Sequence, residues 1–172
     1  MIRAVRATTL AALIAAPIAA VLPALAAAQA SVDFGEGGFD AGQPIEVTSD
    51  ALTVDQADGS AVFNGNVVVV QGDLRLASDA LRVEYAGAES GGQTRIRRIL
   101  ATGGVTFVNG GDAAEATEAV YSVSEGTVRM TGDVLVSQGP SALSGEALTV
   151  DLASGSGRIE GRVRTILQAG GQ

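Results

Sequence analysis

Counting outwards from Gly65, apolar side chains fall at every second position: Ala61, Phe63, Val67 and Val69. The same spacing recurs around Gly103 (Ile99, Ala101, Val105, Phe107) and around Gly132 (Val128, Met130, Val134, Val136). Around Gly161 the set is Gly157, Ile159, Val163 and Thr165. The positions between carry polar residues such as Asn66, Thr106, Arg129, Asp133, Arg158 and Arg162. Alternation with period two predicts strands with one buried face. A glycine at the centre of each pattern predicts a bulge or sharp bend in a long strand. Turn chemistry separates the patterns, at Ala57-Asp58-Gly59, Gln71-Gly72-Asp73, Asn109 to Asp112, Ser124-Glu125-Gly126, Gln138-Gly139-Pro140 and Ala153-Ser154-Gly155.

A second regularity runs through the first. SDALTVD at 49–55 returns as SDALRVE at 78–84, and more loosely as TEAVYSV at 117–123 and GEALTVD at 145–151. Aligned on Ala51, Ala80, Ala119 and Ala147, the four copies reach their central glycines after 14, 23, 13 and 14 residues. The long second interval contains AGAESGGQT, residues 86–94, which has the composition of a surface loop. A fixed period broken by one loop marks a repeat architecture. Each unit supplies two or three short strands, about a dozen in all, that cannot bury their inner face alone. The chain is therefore all-β. Periodicity leaves two forms open: a twisted antiparallel β-jelly roll built from four weak repeats, or a parallel β-helix.

The start of the chain follows another logic. Arg3 and Arg6 precede an apolar run that ends in Ala28-Gln29-Ala30, the arrangement of a secretory signal peptide over residues 1–30. Cleavage is expected after Ala30, with release into the periplasm. The run from Thr8 to Ala28 is nearly long enough for an uncleaved anchor, but Pro17, Pro23 and the small-residue site favour cleavage. Residues 31–43 carry little pattern and are expected to be a flexible lead-in. The β domain is expected over 44–167, with a frayed tail at 168–172.

Composition then removes function classes. From residue 31 onwards the chain has nine arginines, no lysine and 19 acidic residues, a net charge of −10. Such a surface repels phosphate backbones, so nucleic acid is not an expected partner. The whole chain lacks histidine and cysteine. That excludes serine-protease-like triads, thiol catalysis and zinc sites of the usual type. Asp50, Asp55, Asp79, Glu84, Glu118, Glu146 and Asp151 recur at equivalent places in each unit, whereas an active site occurs once, so they read as solvated strand ends. No calcium-loop spacing is present, so neither metal nor cofactor is expected. Two arginine clusters, Arg95/Arg97/Arg98 and Arg158/Arg162/Arg164, read as partners of acids on neighbouring strands, with ligand phosphate as the alternative.

Three motifs carry a family resemblance: Ile45, Val47, Ser49, Asp50 and Leu52; then Phe63, Gly65, Asn66 and Val67; then Ser78, Asp79, Leu81, Val83 and Tyr85. Together they resemble the signature of the OstA-like domain of the LptA family, over about residues 44–167. The resemblance implies an open-ended jelly roll with an apolar interior that shelters the acyl chains of lipopolysaccharide (lipid A) and performs no catalysis. On that resemblance Phe63, Val67, Val69, Val105, Phe107, Met130, Val134 and Val136 are the lipid-contact positions. Docking strands would lie around Ile45, Val47 and Leu52 at one end and Val163 and Ile166 at the other. They would serve end-to-end self-association and docking to LptC-like inner-membrane and LptD-like outer-membrane components. An anchored LptC-type protein and a structural β-repeat protein without lipid are the alternatives.

Overall fold

The computed structural model describes residues 29–34, 40, 42–55, 59–86 and 95–167. Residues 1–28, 35–39, 41, 56–58, 87–94 and 168–172 lie outside them, and with them most of the expected signal segment, part of the lead-in and the frayed end. Among the described residues there are eleven strands and no helix. They are β1 (Gln29–Asp33), β2 (Glu46–Thr48), β3 (Ala51–Asp55), β4 (Ser60–Gln71), β5 (Leu74–Tyr85), β6 (Ile96–Asn109), β7 (Asp112–Ser122), β8 (Thr127–Gln138), β9 (Ser141–Asp151), β10 (Ser156–Glu160) and β11 (Arg164–Ile166). Every pairing is antiparallel, which decides for the jelly roll over the parallel β-helix. The order is β1-β10-β9-β8-β7-β6-β5-β4-β2, with β3 also on β4 and β11 also on β9. The expected set of uniformly short strands is corrected: β4 to β9 are each at least 11 residues long.

Their length reflects a bend that does not end the strand. Register slips occur at Asn64/Val67, Ala77/Ala80, Thr102/Val105, Glu115/Glu118 and Thr131/Val134. At each slip β4, β6 or β8 spends one residue more than its neighbour. The extra residue sits in a left-handed pair: Gly65-Asn66, Gly103-Gly104 and Gly132-Asp133 all have positive φ. Glycine adopts this conformation without a Cβ clash, and the ladder resumes beyond it. Each long strand therefore contributes one half to a first layer, with β3, β10 and β1, and the other half to a second layer, with β2 and β11. The two layers close over a shared apolar core.

The same bend explains the repeat. The side chain of Asp50 lies over Gly65, Asp79 over Gly103, Thr117 over Gly132 and Glu146 over Gly161. A Cβ on any of these glycines would come within 2.6 Å of that covering side chain. Asn66 Nδ2 also donates to Asp50 Oδ2 at 2.7 Å. Because Thr117 takes the covering role, Glu118 rather than Ala119 is the equivalent of Ala51, Ala80 and Ala147. This corrects the alignment of the third copy, whose interval to Gly132 becomes the 14 residues seen in the first and fourth. Ala119 and Tyr121 then take the buried places that Leu81 and Val83 hold in the second copy.

A further correction concerns the lead-in. Residues 29–33 form β1 on the edge of β10, from Gln29↔Glu160 to Asp33↔Ser156. Phe34 follows, fully buried, with its amide donating to the carbonyl of Gly155 at 2.6 Å. A cut after Ala30 would leave three of the five ladder pairs in place. The alternation rule missed β1 because a five-residue strand with Val32 as its buried apolar side chain makes too short a pattern.

The bend makes a graded prediction. Gly103 has φ 82° and would place its Cβ 2.6 Å from Asp79, whereas Gly104 has φ 66° and open space around it. Gly104→Ala should cost about 1 kcal/mol for backbone strain alone, and Gly103→Ala about 2–3 kcal/mol or more. Urea unfolding of the two variants measures the difference.

Candidate functional site

Strand register turns the alternating residues into rows that cross the whole molecule. In the second layer one row passes through Val47, Val69, Leu76, Phe107, Ala114, Val136 and Leu143. In the first layer one row passes through Leu52, Phe63, Leu81, Ala101, Ala119, Met130, Leu148 and Ile159. A parallel row there runs through Val54, Ala61, Val83, Ile99, Tyr121, Val128, Val150, Gly157 and Val32. Directly opposite pairs of this kind stabilise a sheet by about 0.2–1 kcal/mol each. Here they also produce a continuous apolar lining.

Of the positions named from the sequence, Val67, Val69, Val105, Phe107, Met130, Val134 and Val136 are buried in this interior, and Phe63 is half-buried against it. Leu74, Leu76, Leu81, Ile99, Leu148 and Ile159 line the same space and were not named as site residues. Ile99 and Ile159 already stand in the period-two count around Gly103 and Gly161. The signal that finds Leu74, Leu76, Leu81 and Leu148 is the cross-strand register, which cannot be counted along one strand.

The interior is apolar but polar links also join the layers. Tyr121 Oη donates to Gln71 Oε1 at 3.3 Å, and Gln71 Nε2 donates to the carbonyl of Gln43 at 3.0 Å. Gln138 Nε2 donates to the carbonyl of Asp33. The rings of Phe34 and Phe107 stack with centroids 5.2 Å apart.

At the two ends the rows stop without being covered. Leu52 and Val54 are the first-copy equivalents of buried Leu81 and Val83, yet they are 55% and 62% exposed because β3 is an edge strand. At the other end Ile166 and Leu167 are 55% and 73% exposed. Ile45, Val47 and Val163 are half-buried. The structure brings Ile45, Val47 and Leu52 to one end and Val163 and Ile166 to the other. It also adds β1, which occupies the edge of β10 and so becomes the outermost first-layer strand.

Among the described residues no charged side chain is buried. Glu84 Oε2 accepts from Arg97 at 2.8 Å and from Arg98 at 3.3 Å. Arg129 donates to Thr149 Oγ1 at 3.1 Å and lies 3.9 Å from Glu160, and Arg162 lies 3.5 Å from Glu146. The Arg129 and Arg162 pairs are exposed and the Glu84 pairs half-buried; solvent-exposed pairs contribute about 0–1 kcal/mol each. Among the described residues no group of three or more potential ligands is placed to hold a metal ion.

A family model described as LptA/(LptD N-terminal domain) LPS transport protein matches residues 46–156. The chain belongs to this family. Residues outside the LptA/LptD N-terminal match include β1 and β11. An uncharacterised protein of Rhizobium meliloti is 31% identical over 129 residues, covering 71% of this chain and 69% of that one. The lipopolysaccharide export system protein LptA of Escherichia coli K12 is 27% identical over 117 residues, covering 64% of this chain and 60% of its own length. The crystal structure of LptH, described as the LptA-homologous periplasmic component of the lipopolysaccharide transport device of Pseudomonas aeruginosa, superposes with a TM-score of 0.66. It is 19% identical and covers 76% of this chain and 99% of that one. That likeness establishes the shared fold.

Burial gives the interior a pH signature. It raises the Tyr121 phenol above its ordinary value. The folded state therefore holds this proton more tightly than the unfolded state. The stability it confers is complete below the unfolded-state value near 10 and is lost as pH climbs towards the higher folded value. Unfolding free energy should fall more steeply above about pH 10 in the wild type than in Tyr121→Phe, as measured by urea unfolding across that range.

Proposed function

We propose that this protein is a periplasmic carrier that shelters the acyl chains of lipopolysaccharide between its two layers and hands the lipid along by end-to-end stacking of jelly rolls. The observation that carries this reading is the continuity of the inward rows from β2 and β3 to β9 and β10. An acyl chain in water is disfavoured by about 0.8 kcal/mol per CH₂, and a trough of uniform apolar character lets it slide without any single tight site. Phe63, Val67, Val69, Val105, Phe107, Met130, Val134 and Val136 are the contact positions on this reading. The sugar part of the lipid stays in water, outside an acidic surface.

The uncovered ends support the second half of the proposal. An unpaired strand edge with exposed apolar residues is a template for a neighbour's strand. β2 and β3 at one end would pair with β11 and the free first-layer edge at the other end of the next copy, aligning the rows of both. LptC-like and LptD-like components bearing the same fold would dock on the two ends of such a stack. Export by the leader, with cleavage after Ala30, places the chain where those partners meet.

Two measurements test this. Protein purified without denaturant from a lipopolysaccharide-bearing cell envelope should carry lipid A detectable by mass spectrometry. Absence of lipid from the purified protein and from protein incubated with lipopolysaccharide would leave a scaffold reading instead. The double variant Leu52→Arg/Val54→Arg changes exposed side chains only, so stability should move by less than about 0.5 kcal/mol per site. Self-association by analytical ultracentrifugation should weaken at least about tenfold, because two charges are set into an apolar junction.

A further inference from the structure

Phe107 sits mid-row in the second layer and is a contact position on the reading above. Its ring face is already occupied by Phe34, centroids 5.2 Å apart and planes 18° from parallel. Both side chains are fully buried. One ring face cannot hold Phe34 and an acyl chain at once.

Phe34 does not belong to the repeats. It is delivered by β1, which bonds to the sheet on one side only, at the end of the strand order. The fit is specific. Gly157 stands where the other three copies carry Ala61, Ile99 and Val128, and a Cβ there would meet Val32 Cγ2 at 2.7 Å. The missing side chain leaves the dent that receives Val32. The smallest member of the row facing Phe34, Ala114, lies directly beside Phe107. Gln138 from the second layer completes the attachment by donating to the carbonyl of Asp33. An apolar side chain carried by a singly bonded edge strand thus fills part of the interior.

We propose that Phe34 is an internal stand-in for an acyl chain, held over Phe107 by β1 in the unloaded protein and withdrawn when lipid enters. This rests on the carrier reading and specifies how that carrier stays closed while empty. Edge strands open at lower free energy than the centre of a sheet, so β1 can yield while β4 to β9 stay in place. The affinity of the interior for lipid is then reduced by the fraction of molecules in which Phe34 is seated.

The chain has no native cysteine, so a single engineered disulfide can hold β1 shut. Asp33 and Ser156 are direct ladder partners next to Phe34, and both are exposed. In the full chain carrying Asp33→Cys/Ser156→Cys, binding of dispersed hexa-acylated lipid A is measured oxidised and then reduced. The oxidised form should bind about ten- to a hundredfold more weakly, the range to which burial of a phenylalanine side chain converts, and reduction should restore binding. Adding Phe34→Ala to the oxidised pair should restore it too, because the strand is then locked but the ring is gone. Equal binding by oxidised and reduced forms, with the wild type binding lipid A normally, would overturn the plug and leave the carrier intact. No binding by the reduced pair, the Phe34→Ala variant or the wild type would overturn both.

Discussion

The structure depends on one constraint: a strand must turn from one layer into the other without breaking its ladder and without rotating its apolar side chains outwards. The left-handed pairs at Gly65-Asn66, Gly103-Gly104 and Gly132-Asp133 meet it by inserting one extra residue. With that residue the parity of β4, β6 and β8 is kept, so Phe63 and Val67, Ala101 and Val105, and Met130 and Val134 all point inwards. The neighbouring strands lack the insertion and change phase instead. In β5, Leu74, Leu76 and Ser78 are buried before the bend and Leu81 and Val83 after it. Asp79, at that change of phase, is the side chain that covers Gly103. Bend, repeat and inward lining are three consequences of one local geometry.

This explains what was legible in the sequence. Period-two counting works on β4, β6 and β8, because a bulge preserves the count across the glycine. It fails on β5, β7 and β9, where the phase slips at Asp79-Ala80, Thr117-Glu118 and Glu146-Ala147, so the lining residues of those strands fall outside the period-two count. The same slip misled the alignment of the third copy: Ala119 looks like the small anchor of the other copies but stands in the place of Leu81. The motifs at 45–52, 63–67 and 78–85 identified the fold family because they are the bend and its cover, the least replaceable part of the design. β1 was not legible. Its pairing to β10 joins residues more than 120 positions apart, and its only apolar signals are Val32 and Phe34.

The ends and the interior follow from the same rows. A sandwich whose lining continues to Leu52 and Val54 at one edge, and close to Ile166 and Leu167 at the other, is unfinished as an isolated body. On the proposed stacking a second copy would continue the rows, so association and a longer apolar trough would be one event rather than two. The residues that hold the layers together are also those proposed to meet lipid. A loaded carrier must therefore exchange protein–protein apolar contacts for protein–lipid ones of similar strength. A lining of Val, Ala and Leu with few aromatic residues suits that exchange, since no single contact is large.

The central claim is that lipid lies between the layers and not on their outer faces. A photo-crosslinking residue placed in turn at Val69, Phe107, Val70 and Thr106 tests it most directly, because the first pair points inwards and the second lies one step out of phase. After loading with lipopolysaccharide, the account predicts lipid adducts at Val69 and Phe107 and none at Val70 and Thr106. Adducts confined to the out-of-phase pair, or equal yields at all four positions, would contradict it.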